Sequence, residues 1–115
     1  MTLMKGGMMF EQGDIVLIPF PYSDLTGAKR RPAMIVSNSN LKGEDKICCL
    51  VTSNKPKDGI LISKDSLDEG KLPFKSWIKP HRIFTVDERF VVKKLAKVGD
   101  RICEQVKNKI DYFIE

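Results

Sequence analysis

The chain has very few of the residues that build metal centres, with three cysteines and one histidine among its 115 residues. Cys48, Cys49 and Cys103 form no CxxC pair, and with His81 as the single imidazole a zinc site would lack ligands. An odd thiol count reads as buried, reduced cysteine in a cytosolic protein rather than a disulfide framework. Long apolar runs are also missing. No stretch approaches the roughly 18 residues of a membrane span. The opening segment, residues 1–9, carries Lys5 but no adequate apolar stretch and no small-residue cleavage site, so it does not read as a signal peptide. Met8 and Met9 mark a second candidate start, which makes 1–9 an N-terminal extension. Repeats, low-complexity tracts and linkers are absent, so a single domain over 1–115 is expected, its folded part spanning 10–114, and the default location is the cytoplasm.

What remains is an ordinary globular composition, 42% hydrophobic and 30% charged. At this length a single core buries roughly two-thirds of the unfolded chain's surface, enough to fold without staples. Lys and Arg outnumber Asp and Glu 20 to 15, a net charge of +5, and the pI is near 9.2. That balance attracts polyanions and acidic protein segments but says nothing about fold.

Hydrophobic patterning predicts mostly strands. DIVLIPF, from Asp14 to Phe20, is apolar on both faces, and Pro19 and Pro21 predict that it ends or bulges there. A polar loop, YSDLTGAKR, leads to Arg31-Pro32 and a second strand from Ala33 to Ser37. Further strands are expected at Ile47–Ser53, Gly59–Ser63 and Ser76–Val86, the last interrupted at Pro80. Lys64 to Phe74 carries turn signals and one helical turn, and Phe90 to Val98 suits helix and strand equally. Asp100 reads as an N-cap for a terminal helix, since Ile102, Val106, Ile110, Phe113 and Ile114 recur at helical spacing. The sum is a mainly β fold: a small SH3-like barrel of five to seven strands with a C-terminal amphipathic helix.

Three blocks carry a resemblance. GDIVLIPFPYSDLTGAKRRPAMIVSN, from Gly13 to Asn38, resembles the PemK/MazF signature of a G-D-[IV] strand, a Gly-containing loop and R-P-A before an apolar strand. CLVTSN, from Cys49 to Asn54, is similar to that family's strand ending in Thr-Ser, and SWIKPHRIFTVDERF, from Ser76 to Phe90, to its strand running into T-[VI]-D. The similarity spans roughly Phe10 to Ile114. It implies a homodimeric barrel of the PemK, MazF and CcdB kind that cleaves single-stranded RNA without metal or cofactor. It also implies neutralisation by a cognate antitoxin whose acidic segment lies across the RNA groove.

Cleavage by the neighbouring 2′-hydroxyl needs one proton removed from the 2′-oxygen, one delivered to the 5′-oxygen, and charge on the phosphoryl group stabilised. Arg31 supplies a planar fork of donors for that charge, and Pro32 biases its backbone to extended geometry. Thr52, near the end of a central strand, brings a hydroxyl to the same phosphate; alternation places it on the face of Cys48 and Leu50, with Ser53 on the other. These two are the expected catalytic residues. For acid and base the residues leave His81, Asp24, Asp87 and Arg31 itself open. Lys29 and Arg30 join Arg31 in a basic loop cluster beside Tyr22, the pairing of charge and aromatic that a single strand requires. Ser53, Asp24 and Arg82 complete the expected substrate contacts, and Lys55 and Lys57 extend the track. Where some family members carry the arginine of Q-x-R-T-x-D, this chain has Phe84; Arg82, two residues earlier, is the candidate replacement. The competing reading is a non-catalytic barrel that poisons a protein target such as a DNA topoisomerase, or that binds nucleic acid without cutting it. A dimerising scaffold using the Trp77 strand is a third.

Overall fold

The computed structural model describes residues 10–20 and 29–115. Among these residues lie seven strands: β1 (Asp14–Phe20), β2 (Lys29–Ile35), β3 (Asp45–Thr52), β4 (Ile60–Ile62), β5 (Leu67–Gly70), β6 (Ser76–Asp87) and β7 (Lys93–Val98), followed by helix α1 (Asp100–Ile114). They form one antiparallel sheet in the order β4-β6-β3-β2-β1-β7-β5, curled into a nearly closed barrel.

The double-sided apolar pattern of β1 has a direct cause in this arrangement. Ile15 joins a cluster with Met34, Cys49, Val51, Ile78 and Val98, against which α1 lays Ile102 and Val106. Val16, Ile18 and Phe20 point the other way, into a second cluster with Ala33, Ile35, Cys48 and Leu50. Successive side chains of a strand alternate between faces, so the two clusters lie on opposite sides of the same sheet.

Prolines explain where pairing stops. β1 runs through Pro19 to Phe20 instead of ending there, because β7 covers β1 only as far as Leu17. Pro19 therefore lies where the strand is paired on one side alone, the place in a sheet that tolerates a missing N–H. β2 begins earlier than expected, at Lys29, since Lys29, Arg30 and Arg31 pair with Phe20, Pro19 and Ile18 of β1. The basic cluster thus belongs to a strand and not to the preceding loop. In β6, Cys49 faces Ile83 while its neighbour Leu50 faces Lys79, which leaves Pro80, His81 and Arg82 without assigned partners.

β5 was masked in the sequence by the turn signals between Lys64 and Phe74; it follows a single 3-10 turn at Lys64–Ser66. The ambiguous segment resolves into a 3-10 turn at Glu88–Phe90 and strand β7. α1 is capped by Gly99, not Asp100. Asp100 instead places its carboxylate in the first turn, where the helix dipole favours negative charge.

Candidate functional site

Arg31 lies in β2 opposite Ile18. Alternation puts it on the face of Ala33 and Ile35, the side of the second cluster, with Lys29. Thr52 is the last residue of β3, on the face of Cys48 and Leu50, and is paired with Trp77 of β6. The assigned β2–β3 pairs stop at Ala33 and Leu50, next to Pro32, which has no N–H to give. The same register carried two residues further sets Arg31 level with Thr52. Both side chains thus project from one face of adjacent strands, each two residues beyond the last β2–β3 pair.

The result is a row across neighbouring strands on one face: Ile18, Arg31, Thr52, Trp77 and, through β4, Leu61. Arg31 and Thr52 are half-buried. Among the described residues the Arg31 side chain has no carboxylate partner and no hydrogen bond. The Thr52 Oγ1 accepts a hydrogen bond from the Asn54 backbone N–H at 3.1 Å, which fixes the oxygen and leaves its own hydrogen free to donate. Ser53 is exposed in the bend directly beyond the strand end.

The other expected residues separate. Lys29 is exposed on the Arg31 face, and Arg30 points to the opposite one. Tyr22 and Asp24 lie outside the described residues. Arg82 is exposed within the unpaired stretch of β6, where alternation no longer fixes its side. Phe84 turns inward, edge-on to Phe20 with ring centroids 5.6 Å apart, so it serves the second cluster. His81 sits edge-on to Phe113 of α1 at 6.2 Å, on the helix side of the sheet. Asp87 is at the far end of β6, paired with Asp45, roughly 20 Å along β3 from Thr52. Its carboxylate caps the turn that follows, accepting from Arg89 N at 2.9 Å and pairing with Arg89 Nη2 at 2.7 Å. The hydrogen bonds from Arg89 hold it below the usual carboxylate range.

Sequence reasoning missed Trp77 as a site neighbour, because the register of β3 on β6 depends on the irregularity at Pro80. It also gave Asp14 no role of its own. That carboxylate is 1% exposed, accepts from Glu11 N at 2.9 Å, and is flanked by Lys94 Nζ at 3.2 Å and Lys97 Nζ at 3.5 Å. The aspartate of the G-D-[IV] pattern therefore ties β1 to β7. Burial pushes the Cys48 and Cys49 thiols up to about 12, which keeps both protonated and unreactive at neutral pH.

A helix-bearing, nearly closed small barrel, with Arg31 unpaired among the described residues and Thr52 at a strand end on the same sheet face, defines the class of protein. Residues 11–114 match the PemK-like, MazF-like toxins of type II toxin–antitoxin systems, and the chain belongs to that family. Solved structures share the fold. A MazE–MazF complex from Deinococcus radiodurans superposes with a TM-score of 0.69 at 19% identity, over 91% of this chain and 94% of that one. MazF from the same organism gives 0.67 at 19% identity, over 91% and 96%. An endoribonuclease in complex with its cognate antitoxin from Mycobacterial species gives 0.63 at 17% identity, over 90% of each chain. No curated protein matches the chain by sequence.

Proposed function

We propose that this protein is an endoribonuclease toxin that cuts single-stranded RNA without a metal ion. The observation that carries the reading is Arg31: a half-buried arginine with no anionic partner among the described residues, two residues beyond the last β2–β3 pair, as Thr52 is on the neighbouring strand. A buried or half-buried cation is ordinarily paired; here the missing anion is a phosphate of the substrate.

In this mechanism the 2′-oxygen of the upstream nucleotide attacks phosphorus, the bond to the 5′-oxygen breaks, and the products are a 2′,3′-cyclic phosphate and a 5′-hydroxyl. Arg31 donates to the non-bridging oxygens as charge develops on them, and Thr52 donates one further hydrogen bond. Asp87 is engaged by Arg89 and His81 by Phe113, which leaves Arg31 and Asp24 as the candidates for moving the two protons. Lys29, Arg30, Tyr22, Ser53 and Arg82 contribute substrate contacts around this pair. The experiment is cleavage of a long RNA in excess EDTA by the wild type and Arg31→Ala, with end-group analysis of the fragments.

The related toxins solved with antitoxins support a protein partner for this chain too. A basic toxin suits an acidic antitoxin segment competing for the same face, and we place the working form as a cytoplasmic homodimer. A second reading has one specific observation behind it. Phe84, packed on Phe20, removes a cation that some family members carry, and a barrel thus depleted binds RNA or a protein target without cutting. Bound but intact RNA, or growth arrest that survives Arg31→Ala, is the outcome that favours it.

A further inference from the structure

The row that holds Arg31 and Thr52 does not end at Trp77. Leu61 of β4 is the next residue across, paired with Trp77 and 42% exposed. Beyond it opens a cleft of about 380 Å³, lined by Leu61, Leu72, Phe74 and the lysines Lys64, Lys71 and Lys75. Its volume is that of a small-ligand pocket.

Its chemistry is selective. Phe74 is 70% exposed, a large apolar area left in water at the cleft rim. No carboxylate lines the cleft, and among the described residues none of the three lysines forms an ion pair. Lys75 joins cleft and row physically, with its Nζ 5.8 Å from the centre of the Trp77 ring.

We propose that this cleft is a nucleotide subsite, which takes the RNA strand on one side of the scissile phosphate. A base stacks on Phe74 or Trp77, and the flanking phosphates fall to Lys64, Lys71 and Lys75. An exposed aromatic beside cations without ion pairs is what a single strand recognises, since every base offers a stacking face and every phosphate a charge. An acidic peptide would also satisfy the lysines. Continuity with Thr52 through Trp77 favours the strand that must pass over Thr52 in any case. This subsite rests on the ribonuclease reading for its substrate but not for its binding.

The test separates the two. Trp77 is the single tryptophan of the chain, so its fluorescence reports occupancy. Full-length protein is titrated with mixed-sequence RNA that is 2′-O-methylated throughout and cannot be cut, and the expected result is a saturable change in Trp77 emission. Phe74→Ala weakens binding roughly tenfold. Combined Lys64→Gln, Lys71→Gln and Lys75→Gln lowers the slope of log affinity on log salt by about 2, at ~0.7 per phosphate. Lys93→Gln, on β7 and outside the cleft, is the matched control. With native RNA the cleft variants raise KM, hold kcat and shift the fragment pattern. A wild type that binds but does not cut, with the cleft variants weakened, sustains the subsite and removes the cleavage reading. Cutting with unchanged KM, salt slope and fragments overturns the subsite alone. Loss of affinity for poly-L-glutamate but not for RNA reassigns the cleft to a protein ligand and overturns it as well, as does a wild type that binds no RNA.

Discussion

At the scale of residues, Pro32 shapes the surroundings of Arg31. Pro32 biases Arg31 to extended geometry, and the β2–β3 pairs stop beside it at Ala33 and Leu50. Under the proposed mechanism Arg31→Ala is expected to slow cleavage by ~10²–10³, read as single-turnover rates with RNA affinity measured alongside. Asp14 carries a different burden. Asp14→Ala strips two lysines of their shared counter-ion at the β1–β7 seam. Both lysines retain some solvent, so the cost is expected at about 1–3 kcal/mol, below that of a fully enclosed pair. A urea midpoint shift at unchanged slope checks it, and an unchanged midpoint would show the seam to be held by packing alone.

At the scale of elements, Gly13 is the position where backbone conformation is restrictive. It has φ +95°, donates to Ile35 O at 2.8 Å and accepts from Val98 N at 2.9 Å, so one residue pins β1 between its two neighbours. Gly13→Ala places a Cβ 3.0 Å from Val98 O in a left-handed backbone, and a loss of about 1–3 kcal/mol is expected in equilibrium unfolding. Val106→Ala, at the α1 contact with the first cluster, should cost about 2 kcal/mol by the same measurement.

The elements also show what a sequence exposes. The apolar runs of β1 and β3 and the 3.6-residue period of α1 were legible because each reports its own burial. The Arg-Pro and Thr-Ser pairs were legible as motifs. Three things were not. Lys29 to Arg31 read as loop because polar residues in a strand are explained only by the partner they pair with, here Phe20 to Ile18. Trp77 was not placed beside Thr52, because the shift at Pro80 sets that register from a distance. The surroundings of His81 and Asp87, Phe113 for one and Arg89 for the other, are contacts that spacing along the chain does not reveal.

At the scale of the whole molecule, two buried thiols impose a pH dependence. Cys48 and Cys49 ionise near their ordinary value of 9.0 when unfolded but only at about 12 when folded, since burial disfavours the thiolate. Above the unfolded value the unfolded chain binds fewer protons than the native one, so stability falls as pH rises from about 9 toward about 12. Urea midpoints across that window should decline, and replacing both cysteines by valine should flatten the decline. The same burial predicts that a thiol reagent at pH 8 labels half-buried Cys103 before Cys48 or Cys49.

The basic composition, Arg31 and Thr52 on one sheet face, and membership of a toxin family all support the proposed cleavage of RNA. The most direct measurement is incubation of the purified protein with a long single-stranded RNA in excess EDTA, beside Arg31→Ala. Discrete fragments ending in cyclic phosphate, present with the wild type and lost with the variant, are the expected result. Intact RNA in both reactions, or equal cutting by both proteins, would contradict it.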